Sequence, residues 1–125
     1  QAKADPRLMG TVTPFPGPAQ RNGNAIQTAF DRAELTRILD LYGRMVAAGH
    51  WRDYALAMER DVAIFSAFRR ATERPEFRIE KRPALRTKQG MWALFGEAGL
   101  VLKRGHDLAP VLAPIERRLM KLVAD

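Results

Sequence analysis

The sequence contains no cysteine. That single absence removes disulfides, thiol nucleophiles, iron–sulfur clusters and cysteine-ligated zinc together. Without a disulfide framework, a reducing cytoplasm is the expected compartment. Serine occurs once, as Ser66, inside an apolar run with no glycine elbow, which argues against a serine hydrolase. His50 and His106 are the only histidines, each close in sequence to an aspartate, Asp53 and Asp107. Neither belongs to an HExxH or EF-hand pattern, so no metal site is expected. A P-loop and a GxGxxG turn are both missing, and no cofactor is expected. Glu34, Asp40, Asp53 and Glu97 are formal candidates for carboxylate catalysis, but capping or solvated roles explain them more simply, and no catalytic residue is assigned. No apolar run approaches the ~20 residues that span a bilayer. The first residues lack the apolar core of a signal peptide, so no membrane contact is expected. The chain begins with Gln rather than Met, which leaves room for a removed upstream segment.

What is present is a chain of 125 residues, 46% hydrophobic and 28% charged, the size and composition of one folded domain. Lys and Arg number 21 against 14 Asp and Glu, a net charge of +7 that points to an acidic partner. Nearly all of that excess is local. Residues 69–104 hold ten cations and four anions, a net of +6. A basic surface on a folded scaffold can hold phosphates in register, so Arg69, Arg70, Arg78, Lys81, Arg82, Lys103 and Arg104 are the candidate polyanion-binding residues. The competing account is that these cations keep sheet edges soluble and pair with Glu73, Glu76 and Glu80. Lys103-Arg104-Gly105-His106-Asp107 places two cations before a helix start, where free amides favour an anion, although Asp107 acting as a cap explains the same letters. Phe65, Phe68, Phe77 and Trp92 lie near the cations as a base-stacking platform would, or else form the core.

Residues 1–25 carry Pro6, Pro14, Pro16 and Pro18 with Gly10, Gly17 and Gly23, a density that blocks helix and ladder alike. They read as a flexible arm, either a plain solvated tail or one with Phe15 as a hook that docks on a partner or on the domain itself. Residues 26–125 read as a single α+β domain. Asp31 with Glu34 forms a capping-box pair, Phe30 is placed to staple onto Leu35, and an apolar stripe runs from Leu35 to Val46 until Gly49 ends the helix. Trp51 to Ala71 fits a helical stripe or two strands, and the branched, aromatic run Val62 to Phe68 favours strands, reversed at Glu59-Arg60-Asp61. Phe77 to Lys81 alternates as a third strand closed by Pro83. Met91 to Phe95 and Leu100 to Lys103 form a hairpin with glycine at its bend. A last helix starts after Asp107, and Pro114 is expected to kink or split it. The fold class is therefore α+β: an antiparallel β-sheet of about four to five strands flanked by an N-terminal and a C-terminal helix.

Several segments together carry a family resemblance: Phe30-Asp31-Arg32, Leu41-Tyr42-Gly43-Arg44-Met45-Val46, Trp51-Arg52-Asp53-Tyr54, Phe65-Ser66-Ala67-Phe68-Arg69-Arg70, Phe77-Arg78-Ile79-Glu80-Lys81, and Leu100 to Leu108. Over roughly residues 28–113 the chain resembles a family of small alphaproteobacterial proteins catalogued only as a domain of unknown function. The resemblance implies a cytoplasmic bacterial protein and brings no activity, cofactor or catalytic residue with it. From the residues themselves the expected function is non-catalytic binding of a polyanion, RNA or DNA first. The alternative is a protein–protein adaptor, assembly factor or subunit of a larger complex. The oligomeric state is left open.

Overall fold

The computed structural model describes residues 26–70 and 74–124. The arm expected over residues 1–25, Phe15 included, lies outside them. The elements in chain order are α1 (Arg32–Ala47), β1 (Asp53–Met58), β2 (Ala63–Phe68), β3 (Phe77–Lys81), a 3-10 turn (Pro83–Leu85), β4 (Trp92–Phe95), β5 (Val101–Gly105) and α2 (Leu108–Ala124). Consecutive strands are neighbours and every pair is antiparallel, so the sheet is a five-stranded meander ordered β1-β2-β3-β4-β5. This is the α+β domain expected from the sequence.

Local chemistry sets both ends of α1. The Asp31 carboxylate accepts from the Glu34 amide at 2.8 Å, and the Glu34 carboxylate accepts from the Asp31 amide at 2.8 Å, a complete capping box. At the other end Gly49 adopts a φ of 80° and donates to the Val46 carbonyl, while His50 donates to that of Met45. This paired closure is a Schellman motif, open to Gly49 because it lacks a Cβ. It turns the chain so that His50 and Trp51 fall at the end of the sheet. Phe30, expected to staple onto Leu35, stacks on Trp92 with ring centroids 6.1 Å apart.

In α2 the structure decides against a split at Pro114. Pro114 neither splits nor ends the helix, which runs unbroken through it to Ala124. The amide that Pro114 lacks would have served only one carbonyl. Val111, Leu112 and Ile115 are fully buried around it, each gaining on the order of 1.5–3 kcal/mol, against a proline cost of about 3 kcal/mol. Asp107 directly precedes Leu108, the first helical residue. Pro110 stands at the third helical position, where a cap side chain usually finds its N–H, and proline has none.

The ladder register assigns each strand residue to a face. Phe65 lies opposite Ile79, Ile79 opposite Leu94, and Lys81 opposite Trp92, which puts them on one side with Tyr54 and Leu56. That side meets both helices. Ile38, Leu41 and Met45 of α1 and Val111, Leu112, Ile115 and Leu119 of α2 complete the core with Phe65, Ile79, Trp92 and Leu94. Lys81 bridges the layers from there. Its ammonium donates to the Glu34 carboxylate at 2.6 Å and to the Ala29 carbonyl at 2.9 Å. The opposite side of the sheet carries Ala55, Ala57, Ile64, Ser66, Phe68, Arg78, Glu80, Ala93, Phe95 and Arg104, and no described helix lies on it.

Candidate nucleic-acid interface

The uncovered face is built around Glu80. Its carboxylate is buried, with a side chain only 7% exposed, between the guanidinium groups of Arg78 on the same strand and Arg82 just past its end. Arg78 donates from Nε to one oxygen at 2.8 Å, and Arg82 donates from Nε to the other at 3.1 Å. The spacing i, i+2 on a strand is what puts all three side chains on one face. One carboxylate between two guanidiniums leaves the group with a net positive charge. It also fixes both arginines, removing rotamer freedom that a ligand would otherwise have to order. The Arg78 guanidinium further lies 4.4 Å from the centre of the Phe95 ring, in cation–π contact. Phe95 and Phe68 are half-buried on this face. Arg104 faces the same way across Ala93.

The face ends at a polar cleft of about 110 Å³ lined by Arg69, Arg70, Arg74, Glu76 and Glu97. β2 delivers the first two arginines directly after Phe68, and β3 is entered just after Glu76. Glu76 is buried and saturated. His50 Nε2 stands 3.0 Å from each of its oxygens, Trp51 Nε1 donates at 2.7 Å, and an Arg118 nitrogen lies 3.6 Å away. Three parts of the chain therefore meet on one carboxylate, which ties the segment after α1 and the middle of α2 to the sheet. Tyr42 lies nearby, edge-on to Tyr54 and Phe65. Its phenol is pushed above the usual tyrosine value by burial first, and then by the charge of Asp53 and by Tyr54.

The seven expected polyanion-binding residues do not form one surface. Arg78, Arg82 and Arg104 share the uncovered face, and Arg69 and Arg70 flank the cleft at its end. Lys103 lies opposite Leu94 and so belongs to the helix-bearing side at the sheet edge. Lys81 is also on the helix side, is mostly buried, and is occupied by Glu34. Of the four aromatic residues expected near the cations, Phe65, Phe77 and Trp92 are core, and only Phe68 faces outward. Phe95 and Arg74 had not been singled out, and neither had the pairing of His50 with Glu76. Asp53, the acid close to His50 in sequence, is not among its hydrogen-bond partners in the described residues.

Among the described residues no group of three or more His, Asp or Glu is arranged to hold a metal. No helix there is long and apolar enough to cross a membrane. The molecule is thus a two-layer α+β domain, a meander with helices on one face and a cationic, aromatic surface on the other. Residues 28–112 match the family model described as protein of unknown function (DUF2794), and the chain belongs to that family. No curated protein and no solved structure matches it.

Proposed function

We propose that the chain is a non-catalytic module that binds single-stranded nucleic acid, RNA or DNA, across the uncovered face of its sheet. The observation that carries this reading is Arg78 lying over Phe95, with Glu80 holding the guanidinium in place. A ring and a guanidinium plane side by side offer a base a surface on which to stack and a phosphate a charge to meet. Arg82 and Arg104 flank this pair, and Arg69, Arg70 and Arg74 extend the positive charge to the end of the sheet. Single strands are favoured because only unpaired bases can turn outward onto Phe68 and Phe95. Stacking contributes about 1–3 kcal/mol per base. Glu76 supports the non-catalytic reading, since both its oxygens are already taken by His50, Trp51 and Arg118.

The test is binding of a fluorescently labelled single strand and of its duplex as salt is raised. With about four phosphates neutralised, the single strand should show a log–log salt slope near −2.8. It should also bind more tightly than the duplex. No binding at low salt, or preference for the duplex, would refute the proposal.

A protein-docking role has one observation in its favour. Leu100, Val101 and Leu102 are exposed in succession at the β4–β5 hairpin. A stoichiometric protein partner that survives nuclease treatment, with no affinity for oligonucleotides, would favour that role instead.

A further inference from the structure

The two edges of the sheet are protected differently. β5 carries Lys103 and Arg104, and its pairing with β4 shifts register between Leu94 and Phe95. Charges and bulges of this kind are how proteins stop an edge from recruiting another strand. β1 has no bulge within its ladder, and its one charge, Asp53, stands at its first position. Its sequence Asp53-Tyr54-Ala55-Leu56-Ala57-Met58 has no lysine, arginine or proline, and all six residues pair with β2 in unbroken register. Beside it Val46, Tyr54 and Leu56 expose about two-fifths of their surface each, and Val46 stands one helical turn beyond Tyr42, which packs on Tyr54. An edge in unbroken register, charged only at its first residue and bordered by apolar side chains, is a template for another strand.

We propose that β1 pairs with β1 of a second copy of this chain, antiparallel and centred on Ala55, to form a dimer with a continuous ten-stranded sheet. The Glu59 amide donates to the Val62 carbonyl, so the alternation of the ladder turns the backbone groups of Asp53, Ala55 and Ala57 toward β2. Those of Tyr54, Leu56 and Met58 face the free edge. Centring on Ala55 sets Tyr54 opposite the partner's Leu56, an aromatic–aliphatic pair that exchanges main-chain hydrogen bonds. Asp53 then meets the partner's Ala57, so no like charges face each other. A register centred on Leu56 would put Asp53 against the partner's Glu59. It would also bring the partner closer to Thr28, whose amide and hydroxyl bond to the Glu59 and Arg60 carbonyls at the end of this strand. An equivalent pairing of β5 would crowd the Lys103-Arg104 pairs of two copies together. In the β1 dimer both helix layers lie on the same side, and the two uncovered faces join into one surface of doubled width.

The cysteine-free chain permits a direct test of the register. In an antiparallel pair without mutual hydrogen bonds, opposed Cα atoms lie about 4.5 Å apart, within disulfide reach. Diamide, which takes up the two thiol hydrogens as the S–S bond forms, should therefore link Ala55→Cys chains at least tenfold faster than Ala98→Cys chains. Ala98 is an exposed control in the β4–β5 turn. Light scattering of the full wild-type chain at tens of micromolar should give twice the chain mass. Leu56→Lys should give a monomer with an unchanged circular dichroism spectrum, and Leu102→Lys should stay dimeric. A monomeric wild-type chain would overturn the proposal, including the case in which residues 1–25 cover the edge. A dimer broken by Leu102→Lys but not by Leu56→Lys would also overturn it, as would equal cross-linking of the two cysteine variants.

Discussion

His50 Nε2 sits 3.0 Å from both carboxylate oxygens of Glu76, a residue 26 positions further along the chain, and the pair is nearly closed to solvent. The contact exists because two separate local devices aim at one point. The Schellman closure at Gly49 turns His50 and Trp51 off the end of α1, and the β2–β3 connection brings Glu76 to the same corner. Tertiary structure here depends on helix termination as much as on core packing.

Removing that carboxylate strands its donors in a buried site. Glu76→Ala should cost about 3 kcal/mol of unfolding free energy, since breaking a buried charged cluster leaves its remaining members unpaired. Glu76→Gln keeps an acceptor for the Trp51 N–H and should cost about half as much. Urea unfolding followed by tryptophan fluorescence measures both.

Gly90 has a φ of 100°, and a Cβ on it would run into the Gly105 carbonyl where β5 passes. Because that neighbour is backbone, it cannot rotate away. Gly90→Ala should destabilise the fold by about 2 kcal/mol or more, by strain and by displacement of β5. Gly99→Ala, at a φ of 85° with open space around it, should cost less. Thermal denaturation of the two variants gives the ordering.

Lys81 separates charge used for folding from charge left for a ligand. Its ammonium is held by Glu34 and the Ala29 carbonyl, so Lys81→Met should lower stability by about 1–2 kcal/mol and leave nucleic-acid affinity within twofold. Denaturant unfolding and oligonucleotide binding on the same preparation test both halves.

Tyr42 gives an alkaline prediction with a defined sign. Its phenol is raised in the folded chain, chiefly by burial, so the unfolded chain loses that proton first as pH rises past the ordinary tyrosine value of about 10. The folded state then binds more protons than the unfolded one, and stability falls with increasing pH. The contribution is fully present below pH of about 10 and is lost as pH climbs through the raised value. Tyr42→Phe should flatten the decline relative to the wild-type chain in urea titrations on either side of that pH.

Much of the fold was readable from local patterns. The capping box at Asp31, the positive-φ Gly49, the reversal at Glu59-Arg60-Asp61 and the alternation of Phe77 to Lys81 each act within a few residues, and each stands where the sequence places it. At Pro114 the sequence left a kink and a split both open, and the burial of Val111, Leu112 and Ile115 around it is what holds the helix in one piece. The candidate site was only partly legible for a related reason. Charge counting located the basic segment, yet the face each cation occupies depends on cross-strand register, which composition does not carry. Lys81 and Arg82 are adjacent in sequence and end on opposite sides of the sheet. Glu76 looked like one more acid among bases, and nothing near it in sequence announced that His50, Trp51 and Arg118 would converge on it.

The central claim, that the uncovered face binds single-stranded nucleic acid through Arg78 and Phe95, is tested most directly by fluorescence anisotropy of a labelled single strand with Phe95→Ala, Arg78→Ala and Lys81→Met. Loss of one stacked base predicts a roughly 5- to 150-fold weaker Kd for Phe95→Ala. Arg78→Ala should weaken binding as well and reduce the salt slope by about 0.7, while Lys81→Met should bind like the wild-type chain. Equal affinities for all three variants, or a loss confined to Lys81→Met, would contradict the account.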